Sequence, residues 1–101
     1  MDKRLELDQV FCELLGSENV YFQPPESVKM SYPAIVYSRD NIENQFADDS
    51  VYLQRVRYRV TVIDRDPDSV YVKKVSQLPK CRFDRHYSSD GLNHDSFILY
   101  D

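Results

Sequence analysis

Residues 55–69 read RVRYRVTVIDRDPDS, and the arrangement of the whole chain can be worked out from this block. Its first half alternates between apolar and basic residues, the pattern of a strand whose successive side chains point to opposite faces. It predicts a strand over residues 51–63, longer than the usual five or six residues and therefore expected to extend past its own sheet. We expect one face to pack on a helix and the other to meet solvent or a partner. The apolar face carries Val56, Tyr58, Val60 and Val62; the other carries Arg55, Arg57, Arg59 and Thr61.

A helix is predicted directly after this strand. Asp66 stands at the expected N-cap, and Pro67 at the first helical position, where its missing N–H is harmless. Tyr71, Val75 and Leu78 then follow at helical spacing. The block therefore predicts a strand followed directly by a short helix that packs on the same sheet.

The chain before this block begins with an amphipathic pattern. Leu7, Val10, Phe11 and Leu14 fall on one helix face, and Gly16 stands where a helix ends. We predict a helix over residues 2–15, short strands over 19–23 and 31–37, and a polar loop over 40–50.

Two more strands are predicted after the second helix, over residues 80–87 and 93–100. The sequence SSDG at 88–91 separates them and contains the Asp-Gly pair favoured in hairpin turns. The resulting order is α-β-β-β-α-β-β. The chain is therefore predicted to be one α+β domain over residues 1–101, with an antiparallel or mixed sheet and helices packed on one face.

Composition narrows the possible functions. The 101 residues include 13 basic and 17 acidic side chains, a formal net charge of −4, so bulk electrostatics does not favour DNA binding. No apolar run is long enough to span a bilayer, and the charged start lacks a signal-peptide pattern, so we expect neither a membrane segment nor secretion. Two cysteines, Cys12 and Cys81, are too few for a disulfide framework.

The residues that offer chemistry lie near the final hairpin. Cys81, Asp84, His86 and His94 are the residues from which a hydrolase site or a metal site would have to be built. Strand alternation predicts that Cys81 and His86 face opposite sides, and the spacing is not that of a metal motif. A calcium loop starting at Asp64 is rejected because it lacks the required glycine and terminal glutamate. We predict a protein that is not an enzyme, with no catalytic residue, no metal and no cofactor.

The basic face of the long strand is the most distinctive candidate for an interaction site in the sequence. Arg55, Arg57 and Arg59 form a stripe for which three interpretations stay open: pairing with acids on neighbouring strands, a subunit interface, or a contact with nucleic acid. We name this stripe, together with Asp48 and Asp49, as a candidate subunit interface.

Four stretches give the chain a resemblance to a known family. They read VYFQPP (20–25), YPAIVY (32–37), YRVTVIDRDPDS (58–69) and LPKCRFDR (78–85). Together with the final hairpin they resemble the tail-completion, or tail terminator, proteins of tailed phages and prophages. The likeness runs from Leu5 to Tyr100 and consists of structural residues, so no binding residue carries over from it.

The resemblance implies a structural virion protein that caps the finished tail tube as a ring, commonly a hexamer, and forms the tail side of the head-tail joint. The implied partners are further copies of the chain, the tail tube protein and the head-closure protein. DNA would only pass through the ring lumen, and no membrane is involved. The implied location is the head-proximal end of the virion tail, after synthesis in the bacterial host cytoplasm. The alternative is another neck protein of the same particle, a head-closure or adaptor component.

Overall fold

The computed structural model describes residues 3–25, 29–47 and 50–100. It confirms the predicted α+β class and the order α-β-β-β-α-β-β. The elements are α1 (Lys3–Leu15), β1 (Val20–Phe22), β2 (Ala34–Ala47), β3 (Ser50–Asp64), α2 (Val70–Ser76), β4 (Cys81–Ser89) and β5 (Leu92–Tyr100). Among the described residues no helix has both the length and the apolarity to cross a membrane.

The five strands form one mixed sheet in the order β1-β2-β3-β5-β4. β1 runs parallel to β2, and the other neighbouring pairs are antiparallel. β3 lies in the middle of the sheet. Its alternating sequence agrees with a strand that packs one face on the core and leaves the other solvated. The edge strands are the three-residue β1 and the bulged β4.

The predicted apolar face of β3 packs in the core. Tyr58, Val60 and Val62 are buried, and Val56 packs partly against them. α1 contributes Phe11 and Leu15, whereas Val10, which was predicted on the same helix face, is 40% exposed. The buried stripe of α1 is thus rotated toward Leu15. The other buried cluster members are Ile35, Tyr37, Val75, Phe97 and Leu99.

α2 begins three residues later than the sequence predicts. Ser69 is the N-cap, and its hydroxyl accepts a hydrogen bond from the Tyr71 N–H at 3.3 Å. The predicted cap, Asp66, instead accepts a bond from the Asp68 N–H at 2.9 Å, in a turn outside the helix. The assignment of Asp66 was wrong because Asp stabilises such turns as well as helix starts.

The loop predicted over residues 40–50 was also wrong, because β2 continues to Ala47. β3 pairs with β5 only from Arg57 onward, and β1 pairs with β2 only at residues 35–37. Within the described chain, residues 41–47 and 50–56 therefore pair only with each other. We call this two-stranded segment the arm. Seven strand residues reach about 23 Å beyond the sheet, in a molecule that measures 51 × 24 × 24 Å.

The hairpin between β4 and β5 confirms the turn predicted at Asp90-Gly91. Both residues have positive φ, 54° and 75°, which is the requirement of a two-residue turn that matches the twist of the strands. The hairpin places the start of β4 beside the end of β5, next to the base of the arm.

Candidate functional site

The arginine stripe lies on the sheet face opposite the helices, and two of its members have acidic partners within the chain. Arg57 Nε lies 2.8 Å from Oδ2 of Asp40 on β2, without the alignment of a linear hydrogen bond. Arg59 donates a hydrogen bond of 2.6 Å to Oδ2 of Asp84 on β4, reaching across β5. The first of the three interpretations, pairing with acids on neighbouring strands, therefore describes both side chains.

Both acidic partners occupy positions where the strand register shifts. Asp40 is the extra residue between Arg39 and Asn41, and Asp84 is the extra residue between Phe83 and Arg85. A β-bulge of this kind redirects the side chain of the inserted residue. The bulges bring these two carboxylates to the arginine stripe from opposite sides. The strand predicted over residues 80–87 already contained Asp84, whereas Asp40 was predicted in a loop and lies within β2.

The third member, Arg55, has a different neighbour. Its guanidinium carbon lies 5.7 Å from the ring centroid of Tyr100, a cation-π distance. Tyr100 also faces Arg57 across the β3–β5 ladder, and a side-chain hydrogen bond with Tyr100, followed by the charge of Asp40, raises the pKa of Arg57. Tyr100 thus connects two stripe residues, a role that its position at the end of a predicted strand did not indicate.

Two further cations lie beside Tyr100 without acidic partners. Neither Lys80 nor Arg82 forms an ion pair within the described residues, and both are exposed. The backbone holds Lys80 in place: its φ is 59°, and its carbonyl accepts a hydrogen bond from the Tyr100 N–H at 3.0 Å. The candidate interface residues Asp48 and Asp49 lie outside the described residues.

Two adjacent cavities open at the base of the arm. The first, of about 380 Å³, is mainly apolar and has Leu7, Val10, Leu78 and Leu99 among its lining residues. The second, of about 470 Å³, is lined by Arg55, Lys80, Cys81, Arg82 and Tyr100. Lys80 and Tyr100 line both cavities. We call the pair the basal groove: one half is mainly apolar, with Glu6 and Lys80 also in its lining, and the other half is basic.

The residues from which a hydrolase or metal site would have to be built do not come together. Register places Cys81 opposite Leu99 and His86 opposite Asp95, so the bulge at Asp84 returns His86 to the face of Cys81. The parity argument that put them on opposite faces was wrong for that reason. The two residues remain four positions apart along β5, about 13 Å.

Each member of that set has a separate neighbour. His86 Nδ1 lies 2.9 Å from Asp95 Oδ1, and His94 stacks on Tyr87 with a centroid separation of 4.6 Å. Burial raises the pKa of Cys81 to about 11, which disfavours a reactive thiolate at neutral pH. In the part of the chain that the structure describes, no group of three or more His, Cys, Asp or Glu side chains is placed to hold a metal.

No protein-family model matches the chain, and no curated protein matches it.

Proposed function

We propose that this protein is a structural subunit of a phage or prophage tail, which assembles as a ring on the end of the tail tube and forms the tail side of the head-tail joint. The observation that carries the proposal is the arm. Two strands that pair only with each other are marginally stable in water, so an arm of this length is expected to be held by another subunit.

The arm offers a contact from which a ring can be built. It projects from one end of the sheet, and its docking on a different surface of the neighbouring copy would be a heterologous contact. Such heterologous contacts close into rings when the rotation between subunits allows it. A ring on the tube end is also what the resemblance to tail terminator proteins implies. The expected partners are copies of the chain, the tail tube protein and the head-closure protein.

The test is an assembly reaction with the tail tube protein of the parent particle. Adding this protein to growing tubes should stop elongation and leave a ring at one tube end, which negative-stain microscopy would image. A variant lacking arm residues 44–53 should leave the tubes uncapped while keeping its own fold by circular dichroism. Tubes that elongate normally with no terminal ring would contradict the proposal. If the protein instead retains DNA at low salt, the alternative neck role is favoured.

A further inference from the structure

We propose that the arm of one copy docks into the basal groove of the next copy, with its apolar and acidic residues matching the apolar and basic halves of the groove. This proposal rests on the proposed function, because it names the contact through which the ring subunits would join. It assigns an occupant to a surface that the chain leaves open in the described structure.

The sequence of the arm complements the chemistry of the groove. Between the two arm strands the sequence reads FADDSV over residues 46–51, with an aromatic residue two positions before two consecutive acids. The basic half of the groove presents Arg55, Lys80 and Arg82, and the described residues that line it include no carboxylate. Opposite charges at an interface orient the partners and suppress incorrect pairings.

The unpaired state of the groove cations is the second argument. Arg57 and Arg59 already have acidic partners at 2.8 and 2.6 Å, so their charge is largely compensated within the chain. Lys80 and Arg82 have no such partner among the described residues, and they are the cations available to an incoming acid. We therefore expect the contact between subunits at the basal groove and not along the whole arginine stripe.

The apolar half has the size and lining for a side chain of the arm. A dry cavity of about 150 Å³ already accommodates benzene, and this half measures about 380 Å³. Val10, one of its lining residues, is 40% exposed although it belongs to the predicted apolar stripe of α1. Covering Val10 with Phe46 of a second copy would remove that exposed surface from water.

Charge exchange between two variants tests the contact. One variant carries Asp48→Lys and Asp49→Lys in the arm, and the other carries Lys80→Glu and Arg82→Glu in the groove. Each alone should self-associate at least about tenfold more weakly than the wild type in sedimentation velocity, because like charges then meet. An equimolar mixture should regain association, since each arm meets an oppositely charged groove at both kinds of contact. A matched control for the groove variant, Arg65→Glu with Lys73→Glu, makes the same change in net charge on exposed residues away from the groove and should associate as the wild type does.

The apolar half has its own pair of variants. Val10→Asp should weaken self-association, whereas Leu5→Asp, on the same helix at 59% exposure and outside the lining of the groove, should not. Circular dichroism and thermal unfolding of every variant separate loss of contact from loss of fold.

Three results would overturn the docking proposal: unchanged association of both charge variants, failure of the mixture to recover, or a wild-type protein that is monomeric in sedimentation velocity at every concentration measured. None of them bears on tube capping, which is read separately in the tube assembly reaction. Recovery in the mixture without tube capping would instead retain the contact and reject the tail function.

Discussion

The hydroxyl of Tyr37 donates a hydrogen bond of 2.7 Å to Oδ2 of Asp8, and this bond joins β2 to α1. The ring of Tyr37 is buried among Phe11, Phe22 and Tyr58, at centroid distances of 5.2, 4.9 and 6.2 Å. The bond therefore satisfies a polar group within an aromatic cluster that fixes the first helix on the sheet.

Tyr37→Phe should destabilise the fold by about 1–2 kcal/mol, because the half-buried Asp8 carboxylate loses its donor while the packing stays the same. Urea unfolding monitored by circular dichroism measures the change. Tyr71→Phe on α2 is the control and should change the free energy of unfolding by less. Equal effects of the two substitutions would mean that the bond to Asp8 contributes nothing specific.

The side chain of Tyr37 should also make the stability of the fold depend on pH. Burial, followed by the hydrogen bond to Asp8, raises the pKa of Tyr37, while Arg4 offsets part of the shift. Above about pH 10 the unfolded chain loses this proton and the folded chain keeps it, so stability falls as pH rises. The fall should be shallower in Tyr37→Phe. Parallel curves for the two proteins would contradict this assignment.

The ion pair between Arg59 and Asp84 should contribute little to stability despite its 2.6 Å separation. Both side chains are more than a third exposed, so solvent screens their attraction. A double-mutant cycle with Arg59→Ala and Asp84→Ala should give a coupling energy of about 0.2–1 kcal/mol that shrinks in high salt. A larger coupling that is insensitive to salt would show that the bulge holds the pair out of water.

Cys81 should react slowly with alkylating reagents. Burial raises its pKa from 9.0 to about 11, so near neutral pH the thiolate population is about a hundredfold below that of an ordinary cysteine. In a Cys12→Ser background, the rate of reaction with iodoacetamide should rise with pH up to about 11. The same chain unfolded in urea is the control, and its rate should level off near pH 9. Identical profiles would contradict the burial of the thiol.

Ser69→Ala should cost about 1 kcal/mol, because the N-cap hydroxyl that accepts from the Tyr71 N–H is lost. Ser69→Asp should retain most of the stability, since Asp caps helices as well as Ser does. Asp66→Ala should cost less than Ser69→Ala, because its hydrogen bond lies in a turn before the helix. If Asp66→Ala destabilised the protein more than Ser69→Ala in chemical denaturation, Asp66 and not Ser69 would be the N-cap.

The order of elements and the core face of β3 could be predicted from the sequence. A strand with one buried face alternates between apolar and polar residues, and β3 does so. The outer half of β2 could not. Its residues, such as Asn41, Glu43 and Gln45, are typical of loops, and an arm that pairs only with its own return strand has no neighbouring sheet to impose a pattern.

The candidate site was predicted only in part. The arginine stripe could be recognised from spacing, but its partners Asp40 and Asp84 sit at bulges, which shift the period of the strand by one residue. The shift at Asp84 also explains why strand alternation wrongly placed Cys81 and His86 on opposite faces of β4. Lys80 and Arg82 lie near Arg55 because β5 pairs with β4 on one side and with β3 on the other. This contact joins residues far apart in the sequence, so no local sequence pattern predicts it.

The two edges of the sheet have a consequence for aggregation. An exposed edge strand offers unpaired backbone groups that can recruit strands from other molecules. Here one edge is the three-residue β1, and the other, β4, has a bulge together with the charged side chains of Arg82, Asp84 and Arg85. Short length, irregular register and charge each oppose indiscriminate strand addition. Strand addition at the β1 and β4 edges is thereby disfavoured, whereas the outer edges of the arm pair with no strand among the described residues and leave their backbone groups available to a neighbouring copy.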